Sequence, residues 1–206
     1  MTIKPIKEWK YIFLDTSIII DYLKDAKIYS KPENASERQR IINVQKLFDD
    51  VLPKNENLVL YVSAITLAEF IKSKRPDNII SEILEIFYSY EVTIIDFTAN
   101  IANALQKNLE EYLPLGQKYQ FRAKMEEARK KAEPMHAQQW VADDLKIVAT
   151  AHSRMQKGVL DVVLTSDIKT FIPFATKFEL PCLYSKDIPF DIFDEIDADK
   201  SITTTY

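Results

Sequence analysis

Four acidic side chains occupy places where chemistry could be done. Asp15 closes the apolar run "YIFL" and precedes Thr16 and Ser17, Glu69 lies in "VSAITLAEF", Asp144 lies in "VADDLKIVATA", and Asp167 follows "VVLTS". Singly, each has an ordinary explanation. Aspartate at a strand-to-helix junction is a common helix cap, and a glutamate beside an apolar helix face is usually solvated or ion-paired. Gathered in one place, four carboxylates would repel one another, and their pKa values would rise unless cations intervened. Oxygen-only, acid-rich sites suit Mg²⁺ or Mn²⁺, which bind through a few carboxylates and retain waters. Such ions activate water and neutralise charge on an in-line phosphoryl transition state.

Whether the four meet depends on the elements that carry them. Apolar, β-branched runs predict strands at Tyr11 to Leu14, Leu58 to Val62, Val92 to Ile95 and Val162 to Thr165, with a weaker one at Cys182 to Tyr184. Helical patterns fall between them, at Ser17 to Lys24, about Arg38 to Asp49, Ala64 to Lys72, Ile79 to Tyr88, Ala99 to Glu111 and Ala142 to Gln156. Strands alternating with helices predict an α/β fold, with a mainly parallel central sheet of four to five strands covered on both faces. In such sheets functional groups collect outside the carboxyl ends of the strands, where Asp15 and Asp167 stand. Asp167 also precedes a helical stretch, "DIKTFIPF".

In the helix after Ala142, projection places Val141, Leu145, Val148, Ala151, His152 and Met155 on one face. Asp144 lies inside that arc, and Asp143 points away, toward solvent. A carboxylate on an apolar face needs a partner or a cation. The alternative is that "ADD" lies in the first turn and bonds free amides there. Ser63 is expected to cap the helix carrying Glu69, whose long side chain reaches toward the neighbouring strand end.

Bulk properties narrow the class. The chain has 206 residues, 47% apolar and 28% charged, which suits one soluble domain with insertions. No apolar run approaches a bilayer span and no signal segment opens the chain, so a cytoplasmic protein is expected. One cysteine and two histidines exclude a disulfide framework, a cysteine zinc site and a histidine-rich centre. Only two glycines argue against dinucleotide folds and phosphate loops, and Gly158 sits where a helix C-cap belongs. A net charge of −4 means that a polyanion would have to be drawn by a local basic patch or by metal ions. Two stretches read as additions to the core: Asp25 to Asn57, and a densely charged segment from about 108 to 139 expected to form one or two solvated helices. The tail "DIFDEIDADKSITTTY" is acidic.

The motifs "FLDTS", "VSAITLAEF", "DDLKIVATA" and "VVLTSD" resemble, in order, the four acidic motifs of PIN-domain ribonucleases, a family that includes the toxin nucleases of toxin–antitoxin pairs. Ser63, Thr66, Ala149, Gly158 and Thr165 also fit the pattern. The resemblance covers a core of roughly 10–100 and 140–186 within a single domain spanning 1–206, with a helical insertion at roughly 108–139. The chain departs from the family in a longer gap between the first two motifs, in the charged insertion, and in Phe171 standing one residue late.

The resemblance implies Mg²⁺- or Mn²⁺-dependent hydrolysis of RNA, with Asp15, Glu69, Asp144 and Asp167 as the catalytic and metal-ligating set. It implies that Glu69 holds a water and that Thr16 or Thr165 bonds the scissile phosphate. Candidate phosphate-attracting cations are Lys72, Lys74 and Arg75 after Glu69, and Lys169 after Asp167, although lysines at a helix end also favour its dipole. Lys118, Arg122, Lys124 and Arg129 to Lys131 could extend an RNA-binding face, yet interleaved Glu126, Glu127 and Glu133 favour a solvated helix. Tyr119 and Phe121 could stack on bases or simply pack. Asp96 is expected to cap a helix. A homodimer and an antitoxin partner are further expectations from the family. The rival readings are a non-catalytic PIN-like RNA- or protein-binding module, a structure-specific DNA nuclease, and a haloacid-dehalogenase-type phosphatase, whose second acid is replaced here by Ser17.

Overall fold

Five short runs of β-branched, aromatic and aliphatic residues pair into one sheet. They are β1 (Tyr11–Leu14), β2 (Val59–Ser63), β3 (Thr93–Ile95), β4 (Val162–Thr165) and β5 (Cys182–Tyr184). All four pairings are parallel, in the order β3-β2-β1-β4-β5. The computed structural model describes residues 3–55, 57–72, 77–112, 117–132 and 137–190. Parallel neighbours cannot be joined by tight hairpins, so helices fill the crossovers. These are α1 (Thr16–Tyr22), α2 (Ala35–Lys46), α3 (Ala64–Lys72), α4 (Asp77–Ser89), α5 (Ala99–Tyr112), α6 (Gln117–Ala132), α7 (Ala137–Gln156) and α8 (Phe171–Lys177). The chain is an α/β protein with a five-stranded parallel sheet flanked by helices.

Side-chain alternation along the central strands divides the interior in two. Ile12, Leu14, Leu60, Val62, Val162 and Leu164 face one core with Ile18, Val44, Phe48, Phe70 and Phe87. Phe13, Tyr61 and Val163 face the other with Val148, Ala151, Phe171 and Phe174 from α7 and α8. Burial on both faces explains why these strands read as unbroken apolar runs.

The strand order reverses at β1. From β1 the chain steps outward to β2 and β3, then returns to lay β4 and β5 on the opposite side. The carboxyl ends of β1 and β4 therefore flank the topological switch point, where open α/β sheets hold their ligands. Asp15 and Asp167 follow those two ends directly, and the Asp15 N–H donates to the Leu164 carbonyl at 3.0 Å.

Three expectations change. The segment from Asp25 to Asn57 is not an appendage: Ile41, Val44, Leu47 and Phe48 of α2 and the π-helical turn after it are fully buried. Asp21 of α1 is 1% exposed and joins this segment through Arg40, whose Nε and Nη2 lie 2.6 and 3.1 Å from its carboxylate. The charged helix α6 does not stand off the core either. It packs along α7, with Met125 against the second core, and exposes Arg122, Lys124, Lys130 and Lys131. Finally, α7 begins at Ala137 rather than Ala142. It ends as expected: Gly158 has φ +70°, its N–H bonds the Met155 carbonyl and the Val159 N–H bonds that of Arg154, a left-handed C-cap.

Candidate active site at the carboxyl edge of the sheet

Asp15 is 3% exposed and serves as the N-cap of α1. Its Oδ2 accepts from Ser17 Oγ at 2.5 Å, Thr165 Oγ1 at 2.8 Å and the Ser17 N–H at 3.4 Å. Burial lifts its carboxyl above the usual range, the Ser17 and Thr165 hydroxyls pull it back, and the charge of Asp167 lifts it further. Asp15 is thus both a cap and a buried acid. The cap explains its position, but not why it also faces another carboxylate.

Glu69 sits two turns into α3, which starts where β2 ends. The hydroxyl of Ser63 accepts the Ile65 N–H at 3.2 Å, capping that start. Glu69 Oε2 accepts from Thr16 Oγ1 at 2.5 Å, and that hydroxyl lies 3.2 Å from Thr66 Oγ1. Burial pushes the Glu69 carboxyl up to about 8; the Thr16 bond opposes this, and Asp15, Asp144 and Asp143 each add to it. The acids from α1, α3 and α7 therefore feel one another.

The early start of α7 puts Asp143 and Asp144 in its second turn, so neither reaches the free amides of the first. Asp144 is 6% exposed. Asp143 does not face solvent. It is 2% exposed, accepts from Gln139 Nε2 at 2.9 Å and pairs with Lys146 Nζ at 2.8 Å. The projection failed because α3, α5, α6 and α8 all pack on α7, leaving its middle with no fully solvated side. Asp167 organises its own turn: Oδ1 accepts the Lys169 and Thr170 N–H groups at 2.8 and 3.0 Å, and Oδ2 accepts the Thr170 hydroxyl at 2.5 Å.

Among the described residues, no group of three or more His, Cys, Asp or Glu side chains lies close enough to hold one ion. The donor chemistry nevertheless suits a hard divalent cation. Hydroxyl donors reach Oδ2 of Asp15 and Oε2 of Glu69, which among the described residues leaves Oδ1 and Oε1 for a further ligand. Mg²⁺ needs only one or two carboxylates and completes its shell with water. Repulsion among these acids would be relieved by such a charge.

The hydroxyls expected at a scissile phosphate are already engaged. Thr16 serves Glu69, and Thr165 donates to Asp15 while accepting the Asp167 N–H at 3.0 Å. Both position carboxylates. Lys169 is exposed and contributes its backbone N–H to the Asp167 turn. Lys74, Arg75, Glu133 and the tail from 191 lie outside the described residues, as do the side chains of Lys72, Lys118, Tyr119, Phe121 and Arg129. Thr98, not Asp96, caps α5, its Oγ1 accepting the Ile101 N–H at 3.4 Å. Residues the sequence reading left out of the site are Thr170 and the buried Asp143. The Ser17 hydroxyl also accepts the Ser166 N–H at 2.8 Å and so ties the start of α1 to the end of β4. Hydroxyl residues beside the acids in "LDTS" and "TSDIKT" were the available signal.

The half-buried β5 thiol of Cys182 is pushed up to about 12 by desolvation and by the charge of Asp15, so it is no nucleophile at neutral pH. No helix among the described residues is long and apolar enough to cross a membrane. No protein-family model matches the sequence, and no curated protein matches it. The resemblance to PIN-domain nucleases rests on the four motifs, and the parallel α/β architecture is consistent with it.

Proposed function

We propose that the protein is a metal-dependent endoribonuclease, whose site is the acid group formed by Asp15, Glu69, Asp144 and Asp167 at the sheet's carboxyl edge. The observation that carries this reading is the pairing of Asp15, buried at the end of β1, with Glu69, partly shielded on α3: each is held by hydroxyls, and burial first and neighbouring acids second raise both carboxyls. A fold does not keep such a group for stability, because each buried charge costs free energy. A bound Mg²⁺ or Mn²⁺ would neutralise charge on the phosphodiester and activate water. Asp15 and Asp144 are the residues that would hold it, with Asp167 from the neighbouring strand end. Ser17 and Thr165 fix the Asp15 carboxylate through its Oδ2. Glu69, near 8, carries a proton at neutral pH in the metal-free chain and can release or regain it at Oε1, which suits a general acid–base.

The test is cleavage of single-stranded and structured RNAs by the purified chain with Mn²⁺, with Mg²⁺ and with EDTA. Cleavage should require the metal and fall by about a hundredfold or more in Asp15→Asn. Equal activity in wild type and Asp15→Asn would exclude this site. A non-catalytic RNA- or protein-binding module is the second reading, favoured by the absence of three gathered metal ligands among the described residues. RNA binding without cleavage, unaffected by Mn²⁺, would support it. Service as the toxin of a toxin–antitoxin pair is a narrower form of the first reading, supported by the motif resemblance alone.

A further inference from the structure

A cavity of mixed lining lies between β3, the first turns of α5 and the last turn of α7, about 520 Å³ in volume and lined in part by Ile94, Asp96, Thr98, Ile101, Arg154 and Lys157. Arg154 is its unusual member. The guanidinium carbon lies 4.4 Å from the Tyr61 ring centroid, and Tyr61 in turn stacks on Tyr11 with an interplanar angle of 8°. Nε of Arg154 is buried without a hydrogen-bond partner, and no ion pair involving Arg154 occurs among the described residues. A cation serving only the helix dipole would stay in water. Here the planar group is laid on a rigid aromatic base and lines the cavity, an arrangement that holds a guanidinium ready for an oxyanion.

The surroundings select the kind of oxyanion. Lys157 supplies a second positive charge, and Thr98, Asn100 and Ile101 at the start of α5 line the same space. Asp96 offsets one charge, which leaves the lining net positive. Ile94 and Ile101 give the cavity apolar walls, and its volume falls within the range of small-ligand sites. Arg154 follows Asp144 by ten residues along α7, about 15 Å of helix, so this cavity is separate from the acid group.

We propose that the cavity binds the phosphate monoester of a nucleotide-sized ligand, with the Arg154 guanidinium gripping the phosphate and Lys157 beside it. The phosphate has two sources, a free mononucleotide or the phosphorylated end of an RNA strand.

Calorimetric titrations in EDTA, which removes any metal-assisted binding at the acid group, separate the outcomes. The probes are adenosine monophosphate, adenosine, a 5′-phosphorylated tetraribonucleotide and its unphosphorylated twin. Phosphorylated probes should bind and the others should not. Binding of the mononucleotide alone assigns a free ligand, and tighter binding of the phosphorylated strand assigns an RNA end. Arg154→Gln should weaken the interaction about tenfold or more, with Arg154→Lys retaining part of it. If Arg154→Gln proves unfolded by circular dichroism, Lys157→Gln takes its place and should weaken binding severalfold. No binding of either phosphorylated probe at millimolar concentration, or binding unchanged in the folded variants, overturns the proposal.

Discussion

Replacing Glu69 with glutamine should make the metal-free protein more stable at alkaline pH. Burial and three neighbouring acids push this carboxyl from 4.5 to about 8. Between those values the folded chain holds a proton that the unfolded chain has lost, so stability falls as pH rises and levels above the folded value. A rise of that size corresponds to roughly 5 kcal/mol at most. Glu69 is only partly shielded from water, so roughly 2–4 kcal/mol is the working expectation. Glutamine keeps the carbonyl oxygen that Thr16 bonds and removes the charge. Urea denaturation in EDTA from pH 5 to pH 9 measures the difference directly, because other titrating groups largely cancel between the two proteins. Glu69→Gln should gain most of its advantage between pH 5 and pH 9. An advantage that is absent at pH 9, or equal at both ends of the range, would refute the claim of a buried, repelled carboxyl.

Asp143→Asn, by contrast, should destabilise the chain by about 1–2 kcal/mol at pH 7, since it leaves Lys146 without its partner in a largely buried setting; thermal unfolding with and without Mn²⁺ would reveal it. Asp21→Asn should cost more, on the order of 3 kcal/mol, because Arg40 and Lys24 both lose a counter-charge that is 1% exposed. Chemical denaturation checks that loss, which should leave RNA cleavage per folded molecule unchanged.

Much of the sheet was legible from local pattern. Tyr11 to Leu14, Val162 to Thr165 and Cys182 to Tyr184 appear as strands with the expected bounds; in the two central ones burial on both faces writes an uninterrupted apolar run. The strand order was not readable: it depends on which crossovers pass which face, and no single run encodes that. Composition misled at α2 and the turn after it, where a polar surface face masked Val44, Leu47 and Phe48. It misled again at α7, where helical periodicity assumes a solvent side that packing by four neighbouring helices removes. That is why Asp143 was misplaced, whereas Asp15 and Asp167 fell at the carboxyl edge simply because they end buried strands. The roles of Thr16 and Thr165 were hidden for a different reason. A hydroxyl next to an acid can serve substrate or carboxylate, and only the three-dimensional partners decide.

Titrating the metal-free protein with Mn²⁺ at pH 7, in buffers of different ionisation enthalpy, examines the acid group most directly. Wild-type protein should bind the ion and release close to one proton, since a cation beside Glu69 must displace the proton it holds near neutrality, and Asp15→Asn should bind far more weakly. Mn²⁺ binding that is absent, or that persists unchanged in Asp15→Asn with no proton released, would contradict a shared cation at the edge of the sheet.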